Sequence, residues 1–420
     1  MTQSIELMPG VQLRYYPDRR FKQGALSVQI LRPMRREEAA LNALLSAVLL
    51  RGCREYPDMC SVIQRLDDLY GASAGTLVRR VGDYQTTGLY CGFIDDRFAL
   101  GEDQVTSAML SFAALLMLDP VLENGAFRED YVESEKKNLI ATIEAELNDK
   151  RAYASGQMMR AMCKADSFGI PRLGEKADVE AITARSLYQH YCRILRESPI
   201  ELFYVGSAQP EQVAQQLKTH FETLERNYVN LPAQTAFCDG GGSDLVETMD
   251  VAQGKLSMGF VCPTTIRDEG FVAMQVLNVI FGSGMTSKLF MNIREKQSLC
   301  YSIGSGYHGA KGILTVSAGI DSDKDQLVRQ AVLTQLQACC DGDITLQELN
   351  AAKEALCSSL RATHDSPGAI ENFYATAVLS GLKLNPQRYM EAVQQVTRED
   401  VMAAARSLRL HTVFFLKGVA

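Results

Sequence analysis

Apolar and polar residues alternate in two stretches that lie in opposite halves of the chain. Residues 24–33 read GALSVQILRP and residues 254–263 read GKLSMGFVCP. Alternation with this period predicts β-strands that bury one face. A charged turn follows each strand, and then an apolar run with the length of a helix, at 39–50 and at 270–281. The same strand–turn–helix order therefore occurs twice.

The repeat continues beyond this first unit. In both halves, the end of a helix is followed by two strands, then by a further helix and a late apolar strand. The corresponding segments are 66–93 with 293–320 (aligned without gaps), 127–143 with 344–360, and 198–206 with 411–418. The predicted fold is therefore α+β, with two homologous halves, each an antiparallel sheet with helices packed on one face.

A linker separates the halves. Residues 230–244 read NLPAQTAFCDGGGSD, and a Pro with three consecutive Gly favours an irregular connection. We predict domains at 1–229 and 248–420, joined by a linker at 230–247. A Gly run is also able to cradle an anion, but the composition favours a plain linker.

Composition and charge exclude some functions. Of 420 residues, 46% are hydrophobic and 22% are charged, which is typical of a soluble globular protein. The net charge of -7 and the absence of a basic stripe argue against a nucleic-acid partner. The N-terminus lacks the basic and apolar regions of a signal peptide, and no apolar run is long enough to span a membrane. The eleven Cys form no CxxC pair, so we expect reduced thiols and a cytoplasmic protein with no membrane partner.

The five histidines do not form a helical zinc motif. None has a His or Glu at the spacing of HExxH or HxxEH, which would place two ligands on one helical face. They are His190, His220, His308, His364 and His411. A metal site assembled from distant positions remains an alternative.

A search for nucleotide-binding and serine-hydrolase motifs gives little support to either function. GSGYHG at 304–309 fits GxGxxG, but a strand-forming run follows it where a dinucleotide site needs a helix. We interpret it as a Gly-rich strand and hairpin. The sequence contains neither GxxxxGK[ST] nor GxSxG.

One segment is more specific. Residues 282–303 read GSGMTSKLFMNIREKQSLCYSI, which closely resembles the second-half signature of insulinase-like (pitrilysin) zinc metallopeptidases. The duplicated layout and chain length are also similar, so the resemblance covers nearly the whole chain. It implies two similar halves that enclose a chamber. Active members bind zinc through HxxEH on the first helix of the first half, and the Glu is the general base for zinc-bound water.

The resemblance also shows what this chain lacks. In the family, the motif is followed by three apolar residues, a basic residue and Gly. Anchoring on Arg51 and Gly52 places the motif on Ala43-Leu44-Leu45-Ser46-Ala47. Ala cannot bind zinc, and Ser without an activating partner is not a general base.

The third ligand of the family aligns with Thr142. Glu144 and Glu146 are near, but either would require a shift in frame. We therefore predict no metal ligand and no catalytic residue on this chain, with Ala43, Ser46, Ala47 and Thr142 at the replaced positions.

The second-half signature is retained. Arg294 and Tyr301 match the family's Arg and Tyr, which hydrogen-bond to substrate near the zinc, so the resemblance implies that they bind peptide. Arg offers a fork of donors and Tyr a single donor, both suited to a peptide carbonyl. The alternative is that Arg294 pairs with a neighbouring carboxylate and Tyr301 packs in the sheet.

The predicted function follows from the resemblance. Some bacterial members work as pairs of unlike chains, and this sequence resembles the chain that lacks HxxEH. We expect a non-catalytic subunit that forms half of the chamber, binds peptide substrate by strand addition, and pairs with an HxxEH-bearing subunit that carries the zinc. In isolation it is able to form a homodimer. The alternatives are a stand-alone peptide-binding or scaffold protein, and an active metallopeptidase with a displaced metal site.

Overall fold

The computed structural model describes residues 3–146, 148–230, 232 and 236–418. The chain forms two compact units. Unit 1 comprises Met1–Glu144, Ile170–Gln234 and His364–Ala375, and unit 2 comprises Ala145–Gly169, Thr235–Thr363 and Thr376–Ala420. The strands are β1 (Gln3–Met8), β2 (Val11–Pro17), β3 (Gln23–Pro33), β4 (Ser73–Val81), β5 (Tyr84–Ile94), β6 (Leu122–Glu123), β7 (Ala126–Phe127), β8 (Ile200–Gly206), β9 (Ser243–Met249), β10 (Gly254–Val261), β11 (Ser302–His308), β12 (Ile313–Ile320) and β13 (Arg409–Gly418).

Helices make up most of the remaining regular structure. The α-helices are α1 (Arg36–Leu50), α2 (Met59–Asp68), α3 (Val105–Leu118), α4 (Glu129–Ala145), α5 (Lys150–Met162), α6 (Lys176–Glu180), α7 (Ala184–Glu197), α8 (Pro210–Phe221), α9 (Phe271–Asn278), α10 (Asp325–Asp341), α11 (Leu346–Ala362), α12 (Pro367–Ser380), α13 (Pro386–Gln395) and α14 (Arg398–Ser407). Wider π-helical turns follow α9 at Val279–Ser283 and occur again at Leu289–Lys296.

Unit 1 is built on a six-stranded sheet with the order β1-β2-β8-β3-β5-β4. All neighbouring strands are antiparallel except β2 and β8, which are parallel. The apolar helix α1 lies on one face, where it contacts β4 and β5. Most of its side chains are buried, because the apolar run between Ala39 and Leu50 surrounds the helix on nearly every side.

Unit 2 is built on a five-stranded sheet with the order β11-β12-β10-β13-β9. Strand β9 runs parallel to β13, and the other neighbours are antiparallel. The predicted linker at 230–247 was therefore too long, because residues 243–247 form most of β9. These residues form a strand because they pair with β13, although the Gly-rich residues just before them favour a loop. Residues 231 and 233–235 of that linker lie outside the described part.

Each unit contains a segment from the other half of the sequence, so the boundaries differ from the predicted continuous domains. Helix α5 belongs to unit 2 because Met158 and Met162 pack against Gly259 of β10. Residues 364–375 belong to unit 1 because Glu371 binds its sheet. Both segments lie on the face opposite the first helix of the unit, so each sheet carries helical structure on both faces and not on one.

The central hairpins of the two units differ in length. Strands β4 and β5 are joined by the two residues 82–83, whereas β11 and β12 are joined by the four residues 309–312. The ungapped alignment therefore shifts by two residues between the paired strands. An even shift keeps each side chain on the same face, so the repeat remains readable in the sequence.

Within the described residues, no helix is both long and apolar enough to cross a bilayer.

Candidate functional site

The structure brings three of the four replaced metal-site positions together. Ala43 and Ala47 lie one turn apart on the same side of α1, and Thr142 of α4 faces them across a cavity of about 310 Å³. The cavity lies wholly within unit 1. Its other lining residues are Leu44, Thr76, Val78, Glu135, Asn138, Leu139, Arg172 and Leu173.

Ser46, at the position of the general base, does not line this cavity. It is completely buried in the core beside it. Among the described residues, its hydroxyl has no hydrogen-bond partner. A proton acceptor needs a partner that activates it and access to water, and Ser46 has neither.

The donors at this cavity do not fit zinc. The alanines present methyl groups, and the Thr142 hydroxyl donates to the carbonyl of Asn138 at 2.9 Å. The one carboxylate, Glu135, forms an ion pair with Arg51 at 2.5 Å. Zinc sites in proteins use three or four His, Cys or carboxylate ligands. Across the described residues, no group of three or more His, Cys, Asp or Glu is placed to hold a metal.

The two neighbouring glutamates do not supply the missing ligand. Glu144 is exposed and forms an ion pair with Lys176 at 2.5 Å. Glu146 is also exposed, just beyond the end of α4. Neither lines the cavity.

A buried hydrogen-bond network holds α1 against the sheet and against α7. Asn42 donates to the side chain of Gln85 at 2.9 Å, and the Thr87 hydroxyl donates to the Asn42 carbonyl at 2.7 Å. At the start of the helix, Glu38 accepts two hydrogen bonds from Arg32, each 2.7 Å long. Glu38 and Asn42 therefore hold α1 in position. Within the described residues, Ala43, Ser46 and Ala47 contribute no side-chain hydrogen bond.

His190 of α7 completes the network as a neutral ring. Its Nδ1 lies 2.9 Å from the guanidinium of Arg193, which can only donate, so Nδ1 is the acceptor. Nε2 therefore carries the proton and donates to Asn42 Oδ1 at 2.7 Å. Burial lowers the pKa of His190 from 6.5 to about 4, against the opposing effect of Glu38.

Arg294 and Tyr301 lie together in unit 2, in an open pocket of about 350 Å³. The Arg294 guanidinium stacks on Phe290, 4.6 Å from the ring centroid, and lies 3.5 Å from Glu295. Tyr301 is 55% exposed, just before β11. The pairing of Arg294 with a neighbouring carboxylate occurs as the alternative interpretation expected, but Tyr301 does not pack in the sheet.

Asp321 and Lys324 complete this pocket, and the sequence interpretation missed both. The Tyr301 hydroxyl donates to Asp321 at 2.9 Å, and Lys324 forms an ion pair with the same carboxylate at 2.7 Å. The hydrogen bond to Asp321 raises the pKa of Tyr301, and hydrogen bonds from Lys324 and Tyr301 lower the pKa of Asp321. The predicted pairing of the two strands could have indicated that Asp321 lies near Tyr301, because Tyr301 directly precedes β11 and Asp321 directly follows β12.

A larger open cavity of about 680 Å³ lies beside β11 in unit 2. Strand β11 includes most of GSGYHG, which confirms the interpretation as strand and hairpin. The cavity is lined by Asp149, Arg151, Ala152, Ser155, Gly282, Ser283, Gly284, Met285, Phe290, Ile303, Gly304, Ser305, Gly306, His308, Thr315 and Ser317. Small and hydroxyl-bearing residues dominate this lining.

Comparison with known proteins identifies relatives over the whole chain. A family model of the peptidase M16 inactive domain matches residues 181–356. The probable inactive metalloprotease YmfF of Bacillus subtilis is 29% identical over 409 residues, which cover 97% of this chain and 96% of that protein. An uncharacterized zinc protease of Rickettsia bellii is 21% identical over 70% of this chain and 71% of its own length.

Solved structures show the same fold. A conserved protein from Enterococcus faecalis V583 superimposes with a TM-score of 0.93 at 27% identity, covering 100% of this chain and 99% of that one. A peptidase M16 inactive domain from Pseudomonas fluorescens gives a TM-score of 0.82 at 16% identity, covering 100% and 98%. Together with the retained second-half signature and the replaced HxxEH positions, these matches lead to one conclusion. The chain belongs to the insulinase-like (M16) metallopeptidase family and lacks the catalytic motif of that family.

Proposed function

We propose that this protein is the non-catalytic subunit of a heterodimeric zinc peptidase. An HxxEH-bearing subunit of the same family carries the zinc and the general base, in the cytoplasm. This chain supplies half of a chamber and contributes Arg294 and Tyr301 to peptide binding. The observation that carries the proposal is the contrast between the two sites: methyl groups line the metal position, while Arg294 and Tyr301 share an open polar pocket.

The pocket favours a peptide carbonyl as the bound group. Arg294 presents a guanidinium whose plane is fixed by stacking on Phe290, so little side-chain entropy is lost on binding. Its partner Glu295 lies at 3.5 Å and both side chains are well exposed, so water competes strongly for that contact. A peptide oxygen is therefore able to replace Glu295 at low cost.

Reconstitution tests the proposal. The chain is co-expressed with each HxxEH-bearing family member encoded in the same genome, and co-purification and cleavage of a quenched fluorescent peptide mixture are measured. We expect one such pair to form and to cleave peptides, and neither chain alone to do so. If no candidate co-purifies and no pair is active, the subunit role is wrong, and a stand-alone peptide-binding or scaffold protein becomes the better interpretation.

Within a working pair, Arg294→Ala should lower kcat/KM roughly 10- to 100-fold, because one charged donor to the substrate is lost. Arg36→Ala is the matched control, since Arg36 is an exposed arginine in unit 1. The pair should still co-purify with either variant. Equal rates for Arg294→Ala and wild type would remove the substrate-binding role from Arg294.

Metal analysis of the purified chain tests the displaced-site alternative. Stoichiometric zinc together with chelator-sensitive cleavage by this chain alone would replace the proposed function with that alternative.

A further inference from the structure

The backbone around Tyr301 and Asp321 holds these two residues close together. The backbone N–H of Tyr301 donates to the carbonyl of Gly319, near the end of β12, at 2.9 Å. Asp321 directly follows β12 and begins a turn in which the N–H of Lys324 donates to the Asp321 carbonyl at 3.0 Å. Because both main chains are fixed, rotation of the side chains is the simplest motion that separates the hydroxyl from the carboxylate.

The segment between Arg294 and Tyr301 is also tied down. The N–H of Ser298 donates to the carbonyl of Arg294 at 3.2 Å, and the N–H of Leu299 donates to that of Ile293 at 3.1 Å. Ser298 has a φ of 52°, which is uncommon for a residue with a side chain and persists only where the surrounding structure imposes it. The backbones of Arg294 and Tyr301 therefore keep their places, and the hydrogen bonds of their side chains decide what the pocket offers.

The Tyr301 hydroxyl has one proton, and Asp321 already takes it. A phenol has a single O–H donor, whereas an ionised carboxylate only accepts. The hydroxyl donates to Oδ1 of Asp321 at 2.9 Å, so its proton points to that side. In this arrangement Tyr301 presents only lone pairs to the pocket. A peptide carbonyl, which is itself an acceptor, finds no donor on Tyr301.

Arg294 is not limited in this way. Its guanidinium carries five N–H donors, and its ion pair with Glu295 is made through Nη1 at 3.5 Å. Arg294 can therefore donate to a carbonyl while it keeps Glu295. The two retained residues differ in readiness, because Arg294 has donors to spare and Tyr301 has none until it leaves Asp321.

Lys324 allows Asp321 to release the hydroxyl. Its Nζ lies 2.7 Å from Oδ2 of Asp321, the oxygen that Tyr301 does not use. When Tyr301 turns away, the carboxylate keeps this charged partner, and water also reaches it because its side chain is 39% exposed. Hydrogen bonds and ion pairs at such exposed groups are weak. The hydroxyl is therefore able to exchange between Asp321 and another acceptor without leaving a charge unpaired.

The titration of these groups agrees with the geometry. The hydrogen bond to Asp321 raises the pKa of Tyr301, and the charge of Lys324 acts on the same hydroxyl in the opposite direction. Asp321 thus strengthens the hold on the Tyr301 proton, whereas Lys324 weakens it.

We infer that Asp321 is an autoinhibitory acceptor, which takes the proton that Tyr301 needs for a substrate carbonyl, and that Lys324 limits how tightly it does so. The site then has two states: in one only Arg294 donates, and in the other Arg294 and Tyr301 both donate. The affinity for a substrate is reduced by the fraction of chains in the first state. The inference rests on the proposed function in treating a peptide carbonyl as the competing acceptor, whereas the hold on the proton is a property of this chain alone.

Fluorine NMR on the isolated full chain tests the hold on the proton. The 16 tyrosines are replaced with 3-fluorotyrosine, and the Tyr301 signal is assigned with Tyr301→Phe. The pKa of Tyr301 is then compared among variants that carry the same label. We expect Asp321→Ala to lower this pKa and Lys324→Ala to raise it. An unchanged pKa in Asp321→Ala would mean that Asp321 does not hold the proton, which overturns the inference.

Tyr70 and Asp103 of unit 1 supply a matched control. The Tyr70 hydroxyl also donates to an exposed carboxylate, that of Asp103, at 2.5 Å, and this bond raises the pKa of Tyr70. Asp103→Ala should therefore lower the pKa of Tyr70 and leave that of Tyr301 unchanged. If Asp103→Ala shifted Tyr301 as far as Asp321→Ala does, the loss of any negative charge would explain the shift, and the assigned contact would be wrong.

In a working pair of subunits, the same substitutions should change cleavage. Asp321→Ala should raise kcat/KM about threefold to tenfold, because Tyr301 is then free to donate, and Lys324→Ala should lower kcat/KM by a similar factor. Asp103→Ala should leave the rate unchanged. In a Tyr301→Phe background, Asp321→Ala should have no effect, because there is no hydroxyl proton to release.

The cleavage rates separate autoinhibition from the other roles that Asp321 could have. A lower kcat/KM in Asp321→Ala would mean that Asp321 holds Tyr301 in place for the substrate, and an unchanged value would mean that the contact does not matter. A gain that persists in the Tyr301→Phe background would assign the effect to charge alone. Each of these three results overturns the inference. If no HxxEH-bearing partner restores cleavage, the subunit role fails, while the NMR comparison still decides whether Asp321 holds the proton.

Discussion

Ser46 of α1 and Thr87 of β5 both place a hydroxyl group in the core of unit 1, yet only one of them is bonded. Thr87 donates to the carbonyl of Asn42, whereas Ser46 has no partner among the described residues. A buried hydroxyl without a partner loses its hydration and gains nothing in return. The residue that replaces the general base is therefore not required by the structure around it.

This contrast predicts opposite effects on stability. Ser46→Ala should leave the free energy of unfolding unchanged or raise it by up to about 1 kcal/mol, because an unpaired buried hydroxyl is removed. Thr87→Val should lower it by about 1 kcal/mol, because the Asn42 carbonyl loses its donor. Urea denaturation measures both changes. A loss of stability in Ser46→Ala as large as in Thr87→Val would mean that Ser46 has a bonded role.

His190 should make stability depend on pH. Its pKa is about 4 in the folded protein against 6.5 when unperturbed, so the unfolded chain binds more protons between these values. The stabilisation is complete above pH 6.5 and is lost as pH falls toward 4, and it amounts to about 3 kcal/mol. His190→Gln should therefore give a shallower fall in unfolding free energy between pH 7.5 and 5. If the unfolding free energies of the wild type and of His190→Gln fell in parallel over this pH range, His190 would not be a neutral ring in the folded protein.

Among the elements, α1 and α4 show what the sequence was able to predict. The family resemblance aligned Ala43, Ala47 and Thr142 with the three metal ligands of active members, and the structure gathers these residues at one cavity. The partners of the retained pair were not accessible in this way. Asp321 reaches Tyr301 only through the pairing of β11 with β12, and Phe290 reaches Arg294 through a π-helical turn that has no clear sequence signal.

Because α1 and α4 hold Ala43, Ala47 and Thr142 around one cavity, we predict that substitutions there can build a metal site. The triple variant Ala43→His, Ala47→His and Thr142→Glu supplies two His at i and i+4 with a facing carboxylate. We expect it to bind Co²⁺ with the intense visible absorption of a four-coordinate site, and Zn²⁺ to displace that ion. The double variant that keeps Ala47 is the control and should bind far more weakly. A folded triple variant with no such absorption would mean that the helices no longer hold ligand geometry.

At the scale of the whole molecule, the sequence repeat predicted two units but not their composition. The repeated strands and helices lie where the periodicity indicated. The assignment of 145–169 and 364–375 to their units depends on contacts distant in sequence, namely Gly259 with Met158 and Met162, and Glu371 with Arg79. Local pattern cannot reveal such contacts, because each segment looks like an ordinary amphipathic helix of its own half.

The exchanged segments predict that the halves do not fold independently. A fragment of residues 1–229 lacks Glu371, so Ser27 and Gln29 lose a buried acceptor and Arg79 loses its ion pair. We expect this fragment to be aggregated or only partly folded by circular dichroism. Co-expressed with residues 230–420, it should form a stable complex with the melting behaviour of the intact chain. A cooperative thermal transition in the isolated fragment would contradict this expectation.

The placement of residues 364–375 also affects how the chain is made. Unit 1 contains the N-terminus, and the N-terminal part of a nascent chain ordinarily folds first during synthesis. Here Ser27 and Gln29 of β3 reach their partner only when Glu371 has been synthesised, 338 residues after the end of β3 at Pro33 (371 − 33). At about 5–20 residues per second, this strand therefore remains without that partner for roughly 15 to 70 s. During that interval the polar face around Arg79 is uncovered, and the late arrival of one helix sets the earliest moment at which the first half can become native.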